Sequence, residues 1–312
     1  MKLAIVIPVS PFEDLKVIEE SIEHVKSLKA EKIVYVIDKN GENDIRVELA
    51  RKNGVDVVER TGRRGKRAGA INDAINYLSQ SKPDFVLIMD IDTRIDEKTV
   101  EACISALLAD QRAYMASARR YIYNARNLVS ETIEAEYKLI NFLLSKSAFK
   151  QFNGMIGVVR YDILCKGLNE TAIAEDADFA TRMHANGLKA LLVDGKIFEQ
   201  APFSWKEFYS QRKRWYFGGL QLWRYRKEMK KAERNVRISW YLAITITYFP
   251  IIMLPFLPLS IPLILAHYRK ISKLKVFFGL IIYTFVLQAS AISAFLDYIR
   301  GKEVEWNAIR RV

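Results

Sequence analysis

Short apolar runs alternate with amphipathic stretches along residues 1–120. Leu3–Val9, 33–37 and 85–89 are apolar and of strand length, and each is followed by a polar or acidic turn. Between them, 15–28 and 69–78 place apolar residues at helical spacing, with carboxylates near the start of the first. Such alternation predicts an α/β fold, Rossmann-like, with a mostly parallel sheet and helices on both faces. Ligands in such sheets bind beyond the carboxyl ends of the strands, where Asp38 and Asp90 fall. The opening run carries one positive charge, stops at Pro8 and has no small-residue cleavage site, so it reads as a buried strand.

From 121 to 200 the pattern loosens, with a helix over 130–147, a turn region at Gly154 and Gly157, a helix near 175–186 and a strand-like run at 189–193. Residues 205–235 read as one or two helices dense in aromatics, including Trp205, Trp215 and Trp223, with interleaved Arg and Lys. That mixture suits a helix at lipid-headgroup level and equally a core helix with a solvated basic face. Residues 238–267 and 276–296 then carry no Lys, Arg, Asp or Glu. The second is long enough to cross the roughly 30 Å of a bilayer core and predicts a transmembrane helix. The first holds Pro250, Pro255, Pro258 and Pro262, half of the eight prolines, so a straight helix is not expected there, and either one kinked span or a two-segment hairpin is.

Composition narrows the classes. Of 312 residues 50% are hydrophobic and 12% aromatic, ample for a core and unlike a disordered chain. The net charge of +12 would suit a nucleic-acid binder. However, Arg224, Arg226, Lys227, Lys230, Lys231, Arg234 and Arg237 cluster just before the apolar region, where membrane orientation accounts for them; no nucleic acid is expected. Basic residues at 269–275 and Arg310-Arg311 pull the positive-inside rule both ways, leaving two or three spans. Two cysteines without metal spacing fit a reduced, cytoplasmic setting, and His24, His184 and His267 are too scattered for a metal site, reading as surface, packing and interfacial residues.

Four motifs carry candidate chemistry. Asp90-Ile91-Asp92 follows an apolar strand directly, and two carboxylates there suit Mg²⁺ or Mn²⁺ bridging a diphosphate; alone, the tripeptide equally suits a helix cap. The loop 61–72 is glycine-punctuated and basic and leads into a helix, a setting for a pyrophosphate, though without P-loop spacing. Glu175-Asp176-Ala177-Asp178 opens a helix, where acids favour the first turn and where one could serve as a general base. Gln211, Arg214 and Trp215 at i, i+3 and i+4 share one helical face, presenting an amide, a guanidinium and an indole to a diphosphate and a sugar ring.

In this order the motifs resemble the membrane-associated family 2 glycosyltransferases of GT-A fold, which include cellulose, hyaluronan and poly-N-acetylglucosamine synthases. The resemblance covers roughly residues 1–220. It implies that Asp38 sits near the donor nucleoside, that Lys66 in Gly65-Lys66-Arg67-Ala68-Gly69-Ala70-Ile71-Asn72 contacts the donor, and that Asp92, with Asp90, holds the metal. It further implies Gly154 and Glu175 near the acceptor, Asp176 as catalytic base, and Gln211-x-x-Arg214-Trp215 gripping donor (Gln211, Arg214) and acceptor (Trp215). Lys39 and Asn40 depart from the usual acidic motif and leave the nucleobase open.

The resulting expectation is an inverting, metal-dependent hexosyltransferase moving sugar from a nucleotide-sugar donor, UDP-linked, to a hydroxyl of a glycan or lipid-linked acceptor in contact with membrane lipid. The expected organisation is a catalytic domain over 1–204, interfacial helices over 205–237, a membrane region over 238–299 and a basic tail over 300–312, in a multi-pass membrane protein with a cytoplasmic catalytic domain. With no span expected ahead of the domain and few after it, secretion of a long polymer is not expected. A polyprenyl-phosphate sugar synthase of the same fold and a non-catalytic membrane-anchored binding protein stand as alternatives.

Overall fold

The computed structural model describes residues 1–302, so most of the basic tail expected at 300–312, Arg310-Arg311 included, lies outside the described residues, as does the side chain of His267. The first half of the chain alternates strand and helix: β1 (Leu3–Val9), α1 (Leu15–Lys26), β2 (Lys32–Asp38), α2 (Ile45–Lys52), β3 (Asp56–Arg60), α3 (Lys66–Leu78), β4 (Phe85–Ile88), β5 (Arg94–Ile95) and α4 (Glu97–Ala109). There follow β6 (Ala113–Ile122), α5 (Leu128–Lys146), β7 (Gly157–Arg160), α6 (Tyr161–Leu164), α7 (Glu175–Ala185) and β8 (Lys189–Glu199). A helical C-terminal part holds α8 (Trp205–Gln221), α9 (Arg226–Met229), α10 (Arg234–Thr245), α11 (Ser260–Tyr268) and α12 (Lys275–Ile299).

One eight-stranded sheet runs β3-β2-β1-β4-β7-β6-β8-β5. The pairs β3/β2, β2/β1, β1/β4 and β6/β8 are parallel, whereas β7 opposes both neighbours and β5 opposes β8. Both faces are covered, which is why the strands read as unbroken apolar runs. Along β1, Leu3, Ile5 and Ile7 point into a core shared with α1, α2 and α4, while Ala4 and Val6 point into a second core shared with α3, α6 and α7.

Several boundaries differ from the sequence pattern for local reasons. Gly65 in a left-handed conformation (φ +61°) lets α3 begin at Lys66, three residues ahead of the apolar periodicity. α1 has no acidic residue in its first turn, its carboxylate Asp14 standing outside as the N-cap without a side-chain cap bond. β8 extends to Glu199 because the register with β6 shifts after Val193/Ala118, and the polar Asp194-Gly195-Lys196 inside that irregularity hid its second half.

The aromatic, basic stretch forms α8, entered through a Ser204/Glu207 capping box. It is a packed helix: Phe208, Arg212, Phe217 and Leu220 are buried. α12 lies along it and along α5, with Phe208 against Tyr283 (ring centroids 5.1 Å apart), Phe217 against Tyr298 (5.5 Å) and Lys213 paired to Asp297 (2.5 Å). The proline-rich region is broken as its composition requires, with Arg234–Tyr248 and Pro250–Ala266 meeting at 87°. Among the described residues one helical stretch, Ile271–Ile299, is long and apolar enough to cross a membrane, or two if that bent pair counts as one.

Trp240 anchors α10. It is fully buried, donates its indole N–H to Thr181 Oγ1 of α7 (3.1 Å) and packs with Phe149, Ala177 and Met229. Trp240→Ala is expected to destabilise the chain by about 3–5 kcal/mol. Urea unfolding measures it, and a loss below about 1 kcal/mol would mean that α10 is only loosely attached.

Candidate active site

The carboxyl ends of β2 and β4 deliver Asp38 and Asp90, the two carboxylates singled out by strand position. They meet different partners. Asp38 is buried and accepts from Arg60 Nη1 (2.6 Å), whose Nε reaches Asp73 (2.7 Å) and whose Nη1 also reaches the Lys66 carbonyl (3.2 Å). Burial raises the pKa of Asp38 against the opposing pull of Arg60 and Arg63. Arg60 therefore ties the end of β2 to the start of α3. The turn after Asp38 is held by Asp44, which accepts from the Asn40 and Arg46 amides and from the Arg46 guanidinium and lies well below the usual carboxylate range, chiefly through Arg46.

Asp90 belongs to a tighter assembly around Arg67. That guanidinium donates Nε to Asp90 Oδ1 (3.0 Å), Nη1 to Glu175 Oε1 (2.9 Å) and Nη2 to the Gly154 carbonyl. Burial opposes its charge, but Asp90 and Glu175 together hold its pKa above the ordinary guanidinium value. Glu175 is raised, first by burial and then by neighbouring Asp176, with Arg67 pulling the other way. Gly154 sits at φ +63° in a short turn, and a Cβ there would lie 3.3 Å from both Asp90 Oδ2 and Arg67 Nη2. Its N–H donates to Asp176 Oδ2 (2.6 Å), while Asp176 Oδ1 accepts from the Ala177 N–H (2.7 Å). One glycine thus receives Arg67 on its carbonyl and holds Asp176 with its amide.

Arg214 of α8 faces the same acids. Burial lowers its pKa, and Glu175, Asp176 and Asp90 are the charges that oppose this, with Arg67 adding repulsion. α8 comes this close because Gly218 packs on Ala174, the residue before Glu175, where a Cβ would stand 2.4 Å from the Ala174 Cβ. Of the expected site residues, Asp90, Gly154, Glu175, Asp176 and Arg214 are therefore brought together.

Lys66, Gln211 and Trp215 share no hydrogen bond or ion pair with that centre among the described residues. Lys66 is exposed at the first turn of α3, and it is the next residue, Arg67, that turns inward. Gln211 is half-buried on α8. Trp215 is half-buried, with the Arg212 guanidinium 4.0 Å from its ring centroid; Arg212 in turn pairs with Glu136 (2.7 Å). Asp92 is half-buried, its carbonyl accepting from the Tyr123 hydroxyl (3.3 Å). Asp178, third acid of the Glu175 motif, is fully buried and held by Arg182 (2.9 Å), Arg224 and the Tyr225 hydroxyl (2.8 Å), a bracing role.

Three residues that were not among the expected site residues also belong to this assembly: Arg60, Arg67 and Glu199. Glu199 ends β8, and its pKa is raised by burial foremost and further by Asp92 and Asp90, while Arg120 (3.3 Å) opposes. Arg120 also donates to the Asn153 carbonyl, which links Glu199 to the Gly154 turn. Only the basic loop before α3 hinted at any of them, through the presence of Arg67. Among the described residues no group of three or more His, Cys, Asp or Glu side chains converges as a metal site. Asp90 and Asp92 offer hard oxygen donors of the kind Mg²⁺ and Mn²⁺ take when diphosphate and water supply the remaining ligands, so the donor set fits such a cation.

Comparison with solved structures identifies the fold as GT-A. S. aureus TarS superposes with a TM-score of 0.53 at 15% identity, covering 94% of this chain and 55% of that one. TarS 1–349 in complex with UDP gives 0.51 at 14% identity, covering 99% and 94%. The family follows from the sequence: glycosyl transferase family group 2 matches residues 85–292, and glycosyl transferase family 2 matches residues 5–161. The chain belongs to glycosyltransferase family 2. Similar curated proteins include glucomannan 4-beta-mannosyltransferase 7 of Arabidopsis thaliana, 27% identical over 204 residues, which are 61% of this chain and 37% of that protein. Glucomannan 4-beta-mannosyltransferase 1 of Oryza sativa subsp. japonica is 25% identical over 217 residues, 65% of this chain and 41% of that protein. The chain spans less than half the length of these relatives.

Arg67→Ala is expected to leave Glu175 without its cation and to destabilise the fold by roughly 1–3 kcal/mol. Arg67→Lys, with one ammonium in place of a three-way fork, should recover only part of that. Chemical denaturation of the three proteins side by side checks the order.

Proposed function

We propose that the chain is an inverting, metal-dependent hexosyltransferase that moves a sugar from a nucleotide-diphospho-sugar, a UDP-sugar, to a hydroxyl of a glycan or glycolipid acceptor at a membrane. The observation that carries this reading is the convergence of Asp90, Gly154, Glu175 and Asp176 about Arg67, with Arg214 opposite, beyond the end of β4. The names of the relatives, which denote β-linked mannosyl transfer, and the UDP found with TarS point the same way.

In this reading Asp92, with Asp90, would hold Mg²⁺ or Mn²⁺, and the cation supplies positive charge to the diphosphate as it leaves. Arg214, which makes no hydrogen bond or ion pair among the described residues, would receive the diphosphate, with Lys66 adding charge from the rim and Gln211 an amide on the same helix. Asp38 lies toward the nucleoside. Asp176, oriented by the Gly154 and Ala177 amides, takes the proton of the acceptor hydroxyl. That oxygen forms its bond to the anomeric carbon as the sugar–phosphate bond breaks and its electron pair leaves with the diphosphate, which inverts the centre. Glu175, neutralised by Arg67, and Trp215 would border the acceptor. Residues 1–204 form the catalytic unit in this scheme, 205–237 carry Gln211 to Trp215, and the apolar residues 238–299 attach the protein to the membrane with its catalytic unit cytoplasmic.

The test is a donor screen with labelled UDP- and GDP-sugars, lipid and oligosaccharide acceptors, and Mg²⁺ or Mn²⁺ set against EDTA. Expected are transfer abolished by EDTA and a fall in kcat of about 10²–10⁴-fold in Asp176→Asn, with circular dichroism showing that the variant remains folded. Unchanged transfer in Asp176→Asn removes that assignment. A product that is mild-acid labile and extracts into chloroform-methanol would make the acceptor a polyprenyl phosphate instead. No nucleotide release with any donor rejects the enzymatic reading.

A further inference from the structure

The long apolar helix α12 has two different faces. Its inner stripe, with Gly279, Tyr283, Leu287, Ser290 and Ala294, is packed on the catalytic part of the molecule. A Cβ at Gly279 would meet Thr132 of α5 at 2.1 Å, and Ser290 Oγ donates to the Tyr209 carbonyl of α8 (3.3 Å). Its outer stripe, Phe278, Ile282, Phe285, Ile292, Phe295 and Ile299, is 41–65% exposed. The two stripes keep helical spacing from one end to the other.

A helix that crosses a bilayer carries its packed neighbours to the same depth. For α12 those neighbours include the buried Arg212–Glu136 pair, which joins α8 to α5, and Lys213 of α8, which is paired to Asp297. Neither a buried ion pair beside an α/β sheet nor a catalytic helix belongs in hydrocarbon. The outer stripe is nevertheless far more apolar than a solvated helix face, and it is not alone. Exposed Leu139, Phe142 and Leu143 share a face of α5, while exposed Ile238 and Leu242 stand one turn apart on α10. Exposed basic residues flank these helices in the chain: Arg226, Lys227, Lys230 and Lys231 before α10, and Arg269 and Lys270 before α12. Apolar helix faces with flanking cations complement an anionic lipid surface.

We propose that the C-terminal region lies flat in one leaflet of an anionic bilayer, with α12, α10 and the outer face of α5 at the headgroup boundary and no helix crossing. This rests on the membrane attachment proposed above and replaces spanning with a one-sided geometry. It gives the 87° break between α10 and the proline-rich segment a place, since a sharply bent pair can follow an interface where it could not make a straight span.

The test uses the full chain with Cys165→Ser, because Cys165 is exposed and Cys103 buried. Bimane is placed singly at Phe278→Cys, Phe285→Cys, Ile292→Cys and Ile299→Cys, and its quenching by shallow and deep spin-labelled lipids is measured in phosphatidylcholine vesicles containing phosphatidylglycerol. The expected result is one shallow depth at all four positions, about 5–10 Å below the surface. Deep quenching at 285 and 292 with shallow ends, the profile of a span about 30 Å long, overturns the proposal. Lys230→Gln with Lys231→Gln should weaken flotation on these vesicles about fivefold per charge and leave transfer in detergent unchanged. If the wild-type chain does not float with vesicles, or sediments as a dimer that excludes them, membrane attachment itself is rejected. Transfer assayed on the same sample keeps that failure separate from a failure of the enzymatic reading.

Discussion

A single guanidinium holds the candidate site together. Arg67 stands where three segments distant in sequence meet: the end of β4, the Gly154 turn and the start of α7. Each brings a carboxylate or a carbonyl, and without a central cation Asp90, Glu175 and Asp176 would repel one another in a half-buried space. The rest of the architecture keeps this meeting possible. The parallel strands β1, β2 and β4 aim their carboxyl ends at it, and β7 returns antiparallel so that Gly154 arrives beside Asp90.

A second layer of charge supports the first in the same manner. Arg60 joins the end of β2 to α3, Arg120 joins Glu199 to the Gly154 turn, and Arg212 sits between Glu136 and the Trp215 ring. Each arginine spans a gap between elements with its fork of donors, which an ammonium could not do from one point. Arg214 differs from all of them. Its guanidinium is half-buried among acids and makes no ion pair among the described residues, and in the proposed reaction it would receive the diphosphate.

The sheet was legible in the sequence wherever burial on both faces made the strand a continuous apolar run, as in β1, β2 and β4. It was not legible in the second half of β8, where the polar Asp194-Gly195-Lys196 interrupts the run. Acids at strand ends and helix starts could be found because those places have fixed relations to a ligand cleft. Arg67 could not be told from Lys66, since a one-residue step around the first turn of α3 decides which cation turns inward and only the packed structure fixes that rotation. Glu199 lay beyond any local pattern, its position following from how β6 and β8 pair, with Ile122 opposite it. For the C-terminal region, hydropathy counted apolar residues correctly, but the length of α12 says nothing of the helices laid along one side of it.

Asp176 holds one further consequence. Each oxygen of its carboxylate already accepts a backbone N–H, one from Gly154 and one from Ala177. Those bonds take up one direction at each oxygen and leave a narrow sector of lone pairs open. In the proposed reaction a hydroxyl can give up its proton only along that sector, so the backbone around Asp176, through the angle of approach it permits, would select which hydroxyl of a sugar becomes linked.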